Sequence, residues 1–141
     1  MTQESEQLVL KDLCGRLTYG VKIQVNDKIE TLESIDIFDN TIGYDSFLAS
    51  NLEEVKPYLF PLSSITKEHR KEISEILKDI NINHPPYGLI NPNGCDALLT
   101  TVTMQGAALI EFYNKYHYDY NGLIPKGSAI DATGIGIYGN R

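Results

Sequence analysis

Val21-Lys22-Ile23-Gln24-Val25-Asn26-Asp27-Lys28-Ile29-Glu30-Thr31 is the stretch whose reading decides the fold class. Val21, Ile23 and Val25 alternate with Lys22 and Gln24, the period of a half-buried strand. Asn26-Asp27 then supplies two residues that tolerate the positive φ of a tight hairpin, so a second strand follows. In that strand Ile29 and Thr31 share the parity of Ile35 and Ile37, whereas Leu32 and Phe38 fall on the other face. A strand that changes face is either covered on both sides or bulged, here near Glu33. Asp39-Asn40 turns the chain into Thr41-Ile42-Gly43-Tyr44. Pro57 and Pro61 bracket Tyr58-Leu59-Phe60, and because proline gives no N–H to a ladder, a strand there is short or at an edge. Three or four antiparallel strands are expected between residues 20 and 60.

Helices flank this sheet. Leu10, Leu13 and Leu17 recur at i, i+3, i+7 with Val9 one turn before Leu13, and Thr2 or Ser5 is available as N-cap. The pattern predicts an amphipathic helix ending between Leu17 and Gly20. Ile73, Ile76, Leu77 and Ile80 form a second stripe, opposite a charged face and capped by Thr66. Residues 81–94, with Pro85, Pro86 and Pro92, read as a long loop. Leu98-Leu99-Thr100-Thr101-Val102-Thr103 fits a strand or a lead into a helix equally well. Ala108, Leu109, Phe112, Tyr113 and Tyr116 predict a helix from about Gly106 to His117, after which five glycines and Pro125 interrupt long elements. These elements predict a single α+β domain over residues 1–141: a small bent antiparallel sheet with about three packed helices, an SH3-like barrel within residues 20–60 being the topological alternative.

Composition excludes several classes of function. The chain has 141 residues, 42% hydrophobic and 22% charged, with 12 Lys and Arg against 19 Asp and Glu, a net charge of −7 that opposes a phosphate backbone. No apolar run spans a bilayer and the N-terminus is acidic, so a cytoplasmic protein without membrane contact is expected. Cys14 and Cys95 form no CxxC pair and no Asn-x-Ser/Thr acceptor occurs, which argues against a disulfide scaffold. Residues 81–141 carry only three basic and four acidic groups and are rich in Tyr, Gly and Asn.

Val55-Lys56-Pro57-Tyr58-Leu59-Phe60-Pro61-Leu62-Ser63-Ser64, with the acidic-basic helix after it, resembles one of two recurrent segments of a family of small uncharacterised proteins from gut Bacteroides-type bacteria, their phages and mobile elements. Tyr116-His117-Tyr118-Asp119-Tyr120-Asn121-Gly122-Leu123-Ile124 through Ile130-Asp131-Ala132-Thr133 resembles the other. The resemblance implies a biological setting; it implies no chemistry and carries over no site.

Chemical motifs are sparse. Gly134-Ile135-Gly136-Ile137-Tyr138-Gly139 matches G-x-G-x-x-G in letters, but a dinucleotide site needs a helix after it and only two residues follow. Cys95 in Gly94-Cys95-Asp96, with His117 as base, would make a cysteine-dependent hydrolase if a helix start lowered the thiol pKa. Its plainer reading is a small buried hydrophobe, and Cys14 is expected in the core. His69, His84 and His117 have no metal-ligand spacing, so no metal and no cofactor is expected. His69 is expected on a charged helix face.

Tyr113, Tyr116, Tyr118 and Tyr120 crowd around His117. Base stacking would need a basic groove, which is missing, so single-stranded nucleic acid is the weaker alternative. Tyrosine also suits protein interfaces, and Tyr116, Tyr118 and Tyr120 are the candidate interaction surface. Alternatively they pack in the core, with Tyr113 and Tyr116 inward and Tyr118 and Tyr120 at the rim. The expectation is a non-enzymatic accessory factor of a phage or mobile element that binds an unidentified protein partner or itself.

Overall fold

The computed structural model describes residues 2–46, 48–77 and 92–139, with the backbone alone for 92–103. Two compact units emerge: one joins the chain up to Ser64 with the chain from Tyr113 onward, and the other comprises Ile65–Phe112.

The first unit opens with helix α1 (Gln3–Arg16). Thr2 caps it by accepting the Ser5 N–H at 3.1 Å, and Glu4 and Glu6 sit at the positive end of the helix dipole. A 3-10 turn over Leu17–Tyr19 follows, and Gly20 at φ 67° ends it in the left-handed region. Six strands come next: β1 (Lys22–Val25), β2 (Lys28–Asp36), β3 (Thr41–Tyr44), β4 (Leu48–Asn51), β5 (Val55–Leu59) and β6 (Ile130–Asp131). Their spatial order is β4-β3-β2-β1-β5-β6, antiparallel except for the parallel β5–β6 pair. The fold is α+β with an open mixed sheet, so the barrel alternative is not realised.

The opening stretch behaves as its residues require. Val25 pairs with Lys28 across Asn26 and Asp27, whose φ values of 52° and 62° make a two-residue turn of the type that matches strand twist. The β2–β3 register slips between Leu32 and Ser34, so Glu33 is the extra residue of a bulge. That slip resolves the change of face: Leu32 is buried before it and Ile35 is half-buried after it. Gly43, paired with Ser34, is required for close approach, because a Cβ there would run into the Ser34 hydroxyl.

More strands form than the sequence predicts, and β5 is not an outer strand. Pro57 pairs with Ile23 of β1, while β6 joins the opposite side of β5 only from Tyr58 onward. The proline therefore sits where its missing N–H interrupts no ladder. Val9 and Leu13 of α1 are fully buried in one core with Val21, Ile23, Val25, Ile42, Val55, Leu59 and Leu123.

In the second unit Thr66 accepts the His69 N–H at 3.2 Å at the start of helix α2 (Lys67–Leu77). Helix α3 (Pro92–Lys115) begins here and ends in the first unit. It starts well before Gly106: Leu98–Thr103 is helical, and proline is tolerated at a first helical position, where its missing N–H is no loss. Thr and Val cost only a few tenths of a kcal/mol each in a helix, too little to forbid one. Of the expected 81–94 loop, residues 92–94 form the first turn of α3 and the remainder lies outside the described residues, as do Ile80 and His84. Among the described residues no helix is long and apolar enough to cross a membrane.

Candidate functional site: a buried polar node and an acidic sheet

Helix α3 ends where the Tyr–His segment begins. The Tyr118 N–H donates to the Tyr113 carbonyl at 2.9 Å and the His117 N–H to the Asn114 carbonyl at 3.3 Å. This paired arrangement closes a helix through a left-handed residue, usually glycine, and here that residue is His117 at φ 64°. Arg16 reaches the same end from α1. Its Nη1 donates to the Tyr113 carbonyl at 3.3 Å and its Nη2 to the Tyr118 carbonyl at 2.6 Å, a cation set against the negative pole of the helix. Asp12 balances it through Nε–Oδ2 at 2.9 Å and Nη2–Oδ1 at 3.0 Å, and both side chains are fully buried. Asn121 donates a further 2.8 Å bond to Asp12 Oδ1.

The aromatic residues pack around this ion pair. The Tyr120 ring lies 5.2 Å from the Arg16 guanidinium and stacks on Tyr113, while its hydroxyl donates to Asn114 Oδ1 at 2.8 Å. Tyr118 is fully buried, which corrects its placement at the rim: the backbone on either side of it pairs with Phe60, the Phe60 N–H donating to the His117 carbonyl and the Asp119 N–H to the Phe60 carbonyl, each at 2.8 Å. Tyr116 and Tyr120 are half-buried. The tyrosines expected to form an outer surface thus brace the end of a helix in large part.

His117 is 8% exposed and stacks on Tyr138, ring centroids 3.9 Å apart, with its Nδ1 buried and without a hydrogen-bond partner among the described residues. Burial, reinforced by the Arg16 and Lys22 charges, lowers its pKa from 6.5 to about 4, so the ring is neutral at pH 7. Tyr138 accepts the Lys22 N–H at 2.8 Å and donates to the Tyr58 carbonyl at 2.7 Å; burial raises its pKa, against the opposing effect of the Lys22 bond. Gly134, Gly136 and Gly139, all at positive φ, belong to turns that bring Tyr138 back to the sheet. The G-x-G-x-x-G letters therefore describe a run of turns folded back on the sheet.

Two members of this node are legible in the sequence. Asp12 and Arg16 stand at i+3 and i+7 from Val9, on the same stripe as Leu13, and charges on an apolar stripe signal a buried pair. Tyr138 carries no comparable mark. Cys95 lies in the first turn of α3, its side chain outside those described. Cys14, expected in the core, is exposed. His69 is half-buried with its ring edge-on to Phe112 at 5.4 Å, a correction to its charged-face placement. Among the described residues no three His, Cys, Asp or Glu side chains gather as a metal site.

A second region is unlike the node. Residues 29–55, which take in β3, β4 and all of β2 except its first residue Lys28, hold seven carboxylates and no Lys or Arg. At the β2–β3 turn the Asp36 carboxylate accepts the Phe38 and Asp39 N–H groups at 3.0 and 3.2 Å, which holds the turn and leaves Phe38 wholly exposed beside Ile37 at 65%. Residues of the three strands line a groove of about 570 Å³, among them Glu33, Asp36, Thr41, Gly43, Leu48 and Ala49. Nearby, Glu6 has a raised pKa because it shares a side-chain hydrogen bond with Glu53, with desolvation and Glu53's charge adding to the effect. Compared with protein-family models, with curated proteins and with solved structures, the chain matches none.

Proposed function

We propose that the protein is a non-enzymatic interaction factor that binds a protein partner through the hairpin sheet of residues 29–55. The observation that carries this reading is Phe38, a large apolar side chain left entirely in water at a turn that Asp36 holds in shape. Covering such a side chain recovers about 2 kcal/mol, and rigid aromatic anchors of this kind dominate protein interfaces. Tyr116 and Tyr120 contribute at most their half-exposed faces. The setting suggested by the family resemblance, a phage or mobile element of Bacteroides-type bacteria, suits an accessory factor.

Two other activities fit the observations less well. A hydrolase using Cys95 would draw a weak base in His117, whose basicity is suppressed by burial and two cations. A nucleic-acid strand would meet a segment, residues 29–55, whose only formal charges are negative. The test is capture of partners from a native lysate with the wild-type chain and with Phe38→Ser, in nuclease-treated and untreated halves. A nuclease-resistant partner held by the wild type and lost by the folded variant is expected; equal recovery by both chains overturns the assignment of this surface.

A further inference from the structure

Resting on that reading, we infer that the outer edge of β4 accepts an extended segment of a basic protein whose side chains alternate between apolar and cationic. Among the described residues β4 is the last strand of the sheet, so one side of its backbone meets no described strand. Its residues, Leu48-Ala49-Ser50-Asn51, include neither the Lys nor the Pro that commonly blunt an exposed edge. Leu52 donates its N–H to the Asn40 carbonyl at 2.9 Å, which ties the end of β4 to the turn carrying Phe38. Edge and aromatic anchor therefore belong to one continuous surface.

The two faces of that edge differ in chemistry. Leu48 and Ser50 share the face of buried Tyr44 and Ile42, their pairing partners in β3, and Leu48, 53% exposed, carries this apolar face to the rim of the groove. On the opposite face Thr41, Gly43 and Ala49 lie beside the carboxylates of Asp36 and Glu33 along the groove. Gly43 and Ala49 offer little height, so a Lys or Arg stem can lie across them with its charged end toward the carboxylates. Successive residues of an added strand point to opposite faces. One set would cover Leu48 and the other would enter the acidic groove.

Charge selects among occupants. A basic segment gains attraction from the seven carboxylates of residues 29–55, a stretch without Lys or Arg, whereas a second copy brings its own net charge of −7 to the same surface. Exposed carboxylates act over a Debye length of ~8 Å at physiological salt, so the attraction needs no direct ion pair with every group.

The test uses the full chain and two labelled peptides of about eight residues, an ordinary strand length. One alternates lysine and valine; the other has the same residues in two blocks. Fluorescence anisotropy is expected to show the alternating peptide binding at least about tenfold tighter, with affinity falling as salt rises. Leu48→Lys, or Ala49→Lys if the first variant fails to fold, is expected to remove that preference. Equal binding of both peptides would mean charge attraction alone and would overturn the inference, as would indifference to both β4 variants or a β4-dependent dimer of the free chain. The lysate capture separates this inference from the reading beneath it. A partner lost with Phe38→Ser but retained by both β4 variants would defeat edge pairing and leave the interaction surface standing; a partner indifferent to Phe38→Ser would defeat the surface itself.

Discussion

At the end of α3, Arg16 and Asp12 lie out of water and answer each other and two backbone carbonyls; in residues 29–55, Glu33, Asp36, Asp39, Asp45, Glu53 and Glu54 are exposed with no Lys or Arg in the same segment. The first arrangement directs its polar groups inward, toward Tyr113, Tyr118, Asn121 and the helix terminus. The second directs charge outward, around Phe38 and an open strand edge. The node has the perturbed histidine and tyrosine that usually draw attention to a site. Its geometry accounts for them structurally, because Tyr138 is spent on two backbone groups and His117 on closing a helix. Perturbation marks desolvation, and unanswered surface marks a place for a partner.

Breaking the node should have the largest effect. Arg16→Met leaves the Asp12 carboxylate buried without its cation, and a loss of about 3–5 kcal/mol in urea unfolding is expected. Adding Asp12→Leu to that variant should recover part of the loss, since the stranded charge goes with it. A single substitution costing less than about 1 kcal/mol would show that water reaches the pair and that the contrast with the hairpin sheet is false.

Acid should open the same region by a different route. The folded pKa of His117, about 4, lies below its unfolded value of 6.5, so between these values the unfolded chain binds more protons. Stability then falls as pH drops from about 6.5 toward 4, by about 3 kcal/mol from this group, with no further contribution below the folded pKa. Unfolding curves across this range should be steeper in pH for the wild type than for His117→Asn, a substitution chosen because asparagine tolerates the left-handed backbone. Parallel pH profiles for the two chains would remove His117 as the source.

Tyr138→Phe sharpens the comparison at smaller scale. It keeps the ring against His117 and removes the hydroxyl between Lys22 and Tyr58, at an expected cost of about 1–3 kcal/mol in chemical denaturation. Partner capture should be unaffected. Phe38→Ser inverts the pattern, with stability changed by no more than about 0.5 kcal/mol and capture lost.

How much of this was legible follows from the range of the interactions. The β1–β2 hairpin, the Glu33 bulge and the caps at Thr2 and Thr66 depend on neighbours within a few residues, so local pattern reveals them. The α3 stretch Leu98–Thr103 shows the limit, because a β-branched run is equally at home in either regular structure until its surroundings decide. Arg16 meets carbonyls about a hundred positions away, and Tyr138 returns to β1 across most of the chain; only the topology makes those contacts. Residue type alone puts Tyr118 at a surface, because tyrosine suits interfaces, and its burial beside Phe60 overrides that preference. The exposed tip at Ile37-Phe38 was hidden for the converse reason, since their parity alone could not say which face the bulge would leave uncovered.

The most direct measurement of the central claim is amide hydrogen exchange on the full chain, with and without the alternating lysine–valine peptide. Slower exchange confined to β4 and the 37–40 turn, with the 113–121 segment unchanged, is the result expected of a strand added at that edge. Protection at the helix end, or none in β4 under saturating peptide, would contradict the account.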